Sequence, residues 1–161
     1  MNSYSHDMKT IKIGLFGTLM LLSMSLAAQQ KHKPSSDTFH GAQSTAKSYK
    51  VVYQLNSEDN QKILATFKNI GNALDDPRLK GKLQVELVVH SGGVAAFKKD
   101  SPYQQQVLAL KNRGVILAQC ENTLKERNIS KDELFDFISY VPSGNGELII
   151  RQQQGWAIIH P

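Results

Sequence analysis

From position 49 onward the chain alternates between two kinds of apolar spacing. Tyr49-Lys50-Val51-Val52-Tyr53-Gln54-Leu55 mixes β-branched and aromatic residues and stops at Asn56 and Ser57, which predicts a strand. Ile63, Leu64, Phe67, Ile70 and Leu74 then recur at the spacing of one helix face, and Asp75, Asp76 and Pro77 close that helix. Leu83-Gln84-Val85-Glu86-Leu87-Val88-Val89 begins by alternating and becomes continuously apolar, as a strand does inside a sheet covered on both faces. It runs into His90-Ser91-Gly92-Gly93, a loop whose glycines permit positive φ and close approach of a ligand.

The second half repeats the alternation. Ser101 and Pro102 predict the N-cap and first turn of a helix with Tyr103, Val107 and Leu110 on one face and Gly114 at its end. Val115 to Ala118 predicts a third strand, Cys120 follows two residues later, and Glu121 to Arg127 can form a short helix. Ser130 and Glu133 have the spacing of a capping box, with Ile129 and Leu134 placed as a hydrophobic staple, so a further helix is expected there. The turn Pro142-Ser143-Gly144-Asn145-Gly146 leads into Glu147-Leu148-Ile149-Ile150-Arg151, read as a fourth strand, and Trp156 to Ile159 makes a short fifth. Strands alternating with helices predict an α/β fold, a small doubly wound, mostly parallel sheet with helices on both faces.

A chain of 161 residues, 40% hydrophobic and 20% charged, supports one core and not two. Its first 28 residues are set apart. Lys9 and Lys12 precede an apolar run from Ile13 to Leu26, and Ser25, Ala27 and Ala28 give way to Gln29. The run is short for a membrane span, which needs about 20 residues, so 1–28 reads as a signal peptide cleaved after Ala27 or Ala28, with an uncleaved anchor as the alternative. Residues 29–48 are polar and broken by Pro34 and Gly41, a flexible lead-in to a domain at 49–161. The mature protein is expected to be exported, periplasmic where the host has an outer membrane, and free of the membrane. The formal charge of +5 loses Lys9, Lys12 and Asp7 with the leader, leaving about +4 spread along the chain, which argues against a nucleic-acid partner.

Export bears on the only cysteine. Disulfides form outside the cytoplasm, but Cys120 has no partner in its own chain, so it is free, modified or bonded to another chain. At a strand-to-helix junction its thiolate can be stabilised by unpaired backbone N–H groups; it can equally be a small buried hydrophobe. In a parallel sheet, ligands bind at the carboxyl ends of the strands, and the first three strands run out at Asn56, His90 and Cys120. That convergence favours a reactive Cys120 with His90 as assisting base. Glu121 would oppose ionisation if its side chain pointed inward. A papain-type hydrolase with Asn56 as third member is disfavoured, because that family's sequence around cysteine is absent. No metal is expected without a CxxC, HxH or HExxH spacing, and His32 and His40 read as surface residues. No cofactor is expected either, since Gly92-Gly93 lacks a dinucleotide fingerprint.

Val88-Val89-His90 with its small-residue loop, Gly114-Val115 through Cys120-Glu121-Asn122-Thr123-Leu124, Val141-Pro142-Ser143-Gly144, and Gln153-Gln154-Gly155-Trp156 to Pro161 occur in an order that resembles the DsrE/DsrF-like proteins of sulfur metabolism, most of all their exported, single-domain branch. The resemblance covers nearly all of 49–161. It implies a small doubly wound sheet, assembly as a homo-oligomer (trimer or hexamer), and a persulfide-carrying cysteine at the position of Cys120. On this reading Cys120 is the sulfur acceptor, His90 assists it, and Asn56, Ser91, Gly92, Glu121, Asn122 and Thr123 surround the site. The sulfur relays of the family operate in the cytoplasm with sister subunits and a small acceptor protein, so an exported member has an unidentified donor and acceptor. A non-catalytic oligomeric module that binds a small molecule or protein with the same fold is the competing expectation.

Overall fold

The computed structural model describes residues 38–161; the expected signal peptide and the first part of the lead-in lie outside them. Contacts divide the chain after Ala42, and every element named below lies in the unit Gln43–Pro161. Residues 39–48 form neither strand nor helix.

Five strands make one sheet: β1 (Tyr49–Leu55), β2 (Leu83–Val89), β3 (Ile116–Cys120), β4 (Ser139–Val141) and β5 (Ala157–Ile159). Their order is β4-β3-β2-β1-β5, and every pairing is parallel. The helices are α1 (Asn60–Asp75), α2 (Gln104–Asn112), α3 (Glu121–Arg127) and α4 (Gly144–Gln153), with a 3-10 segment at Ser91–Phe97. From β1 to β4 the chain advances across the sheet one strand at a time; from β4 it returns past three strands to the opposite edge. With crossovers of one hand, that reversal puts α4 on the face opposite the earlier helices.

The core reflects this. On one face Val51, Tyr53, Leu55, Val85, Leu87, Val89 and Leu117 pack with Ile63, Phe67 and Ile70 of α1, Val107 and Leu110 of α2 and Leu124 of α3. On the other, Val52, Val88 and Ala118 meet Leu148 of α4 and Trp156. Trp156, the only tryptophan, is thus a core residue. Asp59 caps α1 by accepting the Lys62 N–H at 2.9 Å. Gly114 ends α2 at φ 84°, the left-handed conformation that a glycine after a helix supplies.

Four expectations are corrected. Glu147–Arg151 is no strand but part of α4: Ser143 caps it, accepting the Gly146 N–H at 3.2 Å, while Glu147 in the first turn and Arg151 in the last suit the helix dipole. Only Leu148 of that apolar run is buried; Ile149 and Ile150 are 63% and 53% exposed, so the run is one helix face and not a two-sided strand. The fourth strand is instead the short Ser139–Val141. The element after Ser130 is a single 3-10 turn, Lys131–Glu133, though its capping box is present, with the Ser130 N–H donating to Glu133 Oε1 at 2.8 Å. Ser101 does not cap α2, which starts at Gln104 after Tyr103. The third strand runs two residues further than expected, so Cys120 is its last member and the N-cap position of α3.

Candidate functional site

Because all five strands are parallel, their carboxyl ends lie on one side of the sheet. His90 follows β2, Cys120 ends β3, and Ser143 and Gly144 begin α4 just beyond β4. Together with Ser91, Asn122, Thr123, Glu126 and Asn145 they line a cavity of about 120 Å³. A larger groove of about 420 Å³ lies at Lys99, Gln104, Phe135, Asp136 and Phe137. It contains no thiol or histidine, and its two charges, Lys99 and Asp136, pair with each other at 2.7 Å. The smaller cavity is the chemical one.

Cys120 is 5% exposed, so its sulfur is reached only through this cavity. Burial raises its pKa, but hydrogen bonds from the Thr123 hydroxyl and from the backbone N–H groups of Gly144, Thr123 and Asn122 outweigh that and bring the thiol below its ordinary value. The three N–H groups have a common origin. They lie in the first turns of α3 and α4, where no carbonyl of their own helix can satisfy them, although the Asn122 N–H also donates to the Pro142 carbonyl at 3.3 Å, and the two helix starts meet at the cavity from opposite faces of the sheet.

His90 is half-buried, and burial, with a smaller contribution from the nearby charge of His160, lowers its pKa, so it favours the neutral ring. The Gln54 side-chain nitrogen lies 2.8 Å from His90 Nε2 and Ser91 Oγ 3.0 Å from Nδ1. With the Gln54 amide donating, Nε2 accepts and the ring proton sits on Nδ1, facing Ser91. Both ring nitrogens therefore bond to groups other than the Cys120 sulfur. His90 also crowds a neighbour: a Cβ on Gly144 would stand 3.0 Å from His90 Cβ, so a larger residue there would require His90 to shift by a few tenths of an ångström.

Of the residues singled out in the sequence, the fold brings His90, Ser91, Cys120, Asn122 and Thr123 into one cavity. Three others do not line it. Asn56 Oδ1 is engaged by His160 Nε2 at 3.2 Å. Gly92 is buried against the chain after β1, where a Cβ would stand 3.0 Å from the Glu58 nitrogen. Glu121 turns to Lys131, whose ammonium lowers its pKa, so its carboxylate does not oppose the thiolate. Gln54, Glu126, Ser143, Gly144, Asn145 and His160 were not anticipated. The signal for the α4 group was present: Ser143 as an N-cap, followed by Glu147 and Arg151 at i, i+4 spacing. Among the described residues no group of three or more His, Cys, Asp or Glu side chains is arranged to hold a metal ion.

A protein of unknown function from Methanobacterium thermoautotrophicum has a similar structure, with 33% identity over 71% of this chain and all of its own, at a TM-score of 0.67. A conserved protein of unknown function from Bacteroides thetaiotaomicron shares the fold at 12% identity, covering 75% of this chain and all of its own, with a TM-score of 0.57. No curated protein matches the chain. Residues 47–161 match the model of the DsrE/DsrF-like family, which takes in the whole sheet, the cavity and Cys120: the chain belongs to the DsrE/DsrF-like family.

Proposed function

We propose that this protein accepts sulfane sulfur on Cys120 and passes it on as a persulfide, acting as an exported sulfur carrier. The observation that supports this most is a buried thiol on a small open cavity where the first turns of α3 and α4 meet, with its pKa brought below the ordinary value. A thiolate so held attacks the outer sulfur of a donor R–S–SH. A bond forms from Cys120 to that sulfur, the donor's S–S bond breaks, and its electron pair leaves on R–S⁻, which takes its proton from solvent. The same N–H groups are placed to hold the persulfide anion. His90, neutral and tied to Gln54 and Ser91, shapes the wall beside the sulfur.

The basic and apolar pattern of residues 1–28 supports export, and the family supports a trimer or hexamer. The exposed Ile149 and Ile150 of α4 suit such an interface. The donor and acceptor are small sulfur compounds or partner proteins outside the cytoplasm. Treatment of the reduced protein with polysulfide is expected to add the mass of one sulfur atom to the wild type and none to Cys120→Ser. Equal uptake by both proteins would overturn the reading, and a ligand-induced rise in melting temperature that survives Cys120→Ser would favour the binding module instead.

A further inference from the structure

α3 places three of the residues that line the Cys120 cavity on one face. Asn122 and Thr123 stand in its first turn, and Glu126, four and three residues further on, lies above them on the next turn. Cys120 immediately precedes this helix, so the carboxylate stands one turn, about 5.4 Å along the axis, beyond the groups nearest the sulfur. Thr123 is 3% exposed and Glu126 is an exposed residue, which makes Thr123 part of the cavity wall and Glu126 part of its rim.

The charge on the rim is uncompensated. Of the two acids on α3, Glu121 pairs with Lys131 at 2.5 Å, whereas among the described residues no lysine or arginine comes within ion-pair distance of Glu126. No lysine or arginine lines the cavity either, and His90, the one imidazole that does, favours the neutral ring. Lys125 and Arg127 flank Glu126 in sequence, but a step of about 100° per residue turns them to other faces of α3, and neither lines the cavity. The chain as a whole is basic, at +5, yet the approach to its thiol is negative.

Size narrows the choice of substrate further. A cavity of about 120 Å³ has the volume of about four water molecules at about 30 Å³ each, room for a sulfur atom on a short carbon chain. We propose that Glu126 is a specificity-determining residue and that the sulfane donor is a small persulfide whose short chain bears a cationic amine, which the carboxylate attracts as the sulfur reaches Cys120. This deepens, and rests on, the reading of Cys120 as a sulfur acceptor. Such a donor hands over its outer sulfur by the step given above, and its thiolate leaves as a zwitterion with no net charge for the rim to hold. Inorganic polysulfide, a polyanion, enters against the carboxylate and loads the thiol slowly.

The test is the rate at which three methanethiosulfonates of equal length, 2-aminoethyl, 2-hydroxyethyl and 2-sulfonatoethyl, modify Cys120 of the full chain at pH 7, followed by intact mass. In each the thiolate attacks the sulfenyl sulfur and methanesulfinate leaves, so the reagents differ in the charge of the tail. Relative to the neutral reagent, Glu126→Gln is expected to slow the cationic one by about threefold and to speed the anionic one by about threefold, the effect of one unit charge about a helical turn away in a hydrated site. Glu126→Lys is expected to shift both further in the same directions, and 1 M salt to remove most of the difference. Asp100→Asn, which neutralises an exposed carboxylate outside the cavity, is expected to shift neither. Relative rates that Glu126→Gln leaves in place, or an equal shift in Asp100→Asn, would overturn the selectivity while the acceptor thiol stands. A lysine-flanked cysteine peptide that carries the same thiosulfonate group and outpaces the 2-aminoethyl reagent would overturn the small donor in favour of a protein one. Failure of all three reagents to modify wild-type Cys120 would overturn the acceptor itself, and the inference with it.

Discussion

On one face of the sheet α1, α2 and α3 close over a broad apolar core, whereas on the other a single helix, α4, with Trp156 covers Val52, Val88 and Ala118. The thin face also holds charge. Glu86, 1% exposed, lies under α4, where Arg151 Nε approaches it at 2.6 Å and Glu147 at 2.8 Å, and the guanidinium stacks over Trp156 at 4.4 Å. The thick face gives the domain its stability, and the thin face attaches one helix whose N-terminus completes the thiol site. The walls of the Cys120 cavity come from both, Asn122 and Thr123 from α3 and Gly144 from α4.

The largest expected effect tests this division with one leucine from each side. Leu87→Ala opens a cavity in the thick core, where Leu87 is fully buried, and is expected to cost about 2–5 kcal/mol. Leu148→Ala, at 8% exposed and on a helix that favours alanine, is expected to fall at or below about 2 kcal/mol. Urea titrations with unchanged slopes measure both. Equal losses would show that the faces share the load and would break the comparison.

That asymmetry also decides what the sequence could disclose. The thick face was legible because its elements carry a clear period: β1, β2 and the stripe of α1 follow from Tyr49–Leu55, Leu83–Val89 and the recurrence of Ile63, Phe67 and Ile70. α4 was not, because its buried surface is so small. With one buried leucine there is no stripe to read, and Ile149-Ile150 between turn-forming residues has the composition of a strand. The site divided along the same line. His90, Asn122, Thr123 and Cys120 follow from strand ends that periodicity locates, while Ser143 and Gly144 depend on where α4 starts, which only the return of the chain to the far edge determines.

A second effect, somewhat smaller, concerns the charges under α4. Arg151→Met leaves Glu86 buried beside Glu147 with no cation, and a buried carboxylate without its partner costs about 3 kcal/mol at pH 7. The loss is expected to shrink on acidification. Burial first of all, and then the charge of Glu147, raise the Glu86 pKa above its ordinary 4.5, with Arg151 opposing them. Without Arg151 that rise grows, so as the pH falls toward 4.5 the folded state takes up a proton before the unfolded state does, and stability increases. Urea midpoints at pH 7 and pH 5 measure the difference; a loss that is the same at both would mean that the arginine acts through its stacking on Trp156.

Glu86→Gln is the smallest and most discriminating change. Removing the carboxylate does not strand the guanidinium, because Arg151 keeps Glu147 four residues before it on α4. β3 places Ile116 in register beside Glu86, and β1 places Val52 there, with Lys50 two residues before Val52 and over the Trp156 ring, so no other cation on these strands is left unpaired under the helix. The variant is therefore expected to stay within about 1 kcal/mol of the wild type at pH 7, since a neutral amide avoids the desolvation that the ionised side chain bears. What it should lose is the contribution of Glu86 to the pH dependence. In the wild type the raised pKa of Glu86 adds stability as the pH falls through the window above 4.5, against the loss that the lowered pKa of His90 brings there, and glutamine has no proton to take up. A urea midpoint that falls more steeply on acidification in Glu86→Gln than in the wild type would assign the difference to this side chain. A loss at pH 7 as large as that of Arg151→Met would instead mean that the ionised Glu86 is what holds α4 to the sheet, and the thin face would then be an electrostatic clasp and not a weakly packed one.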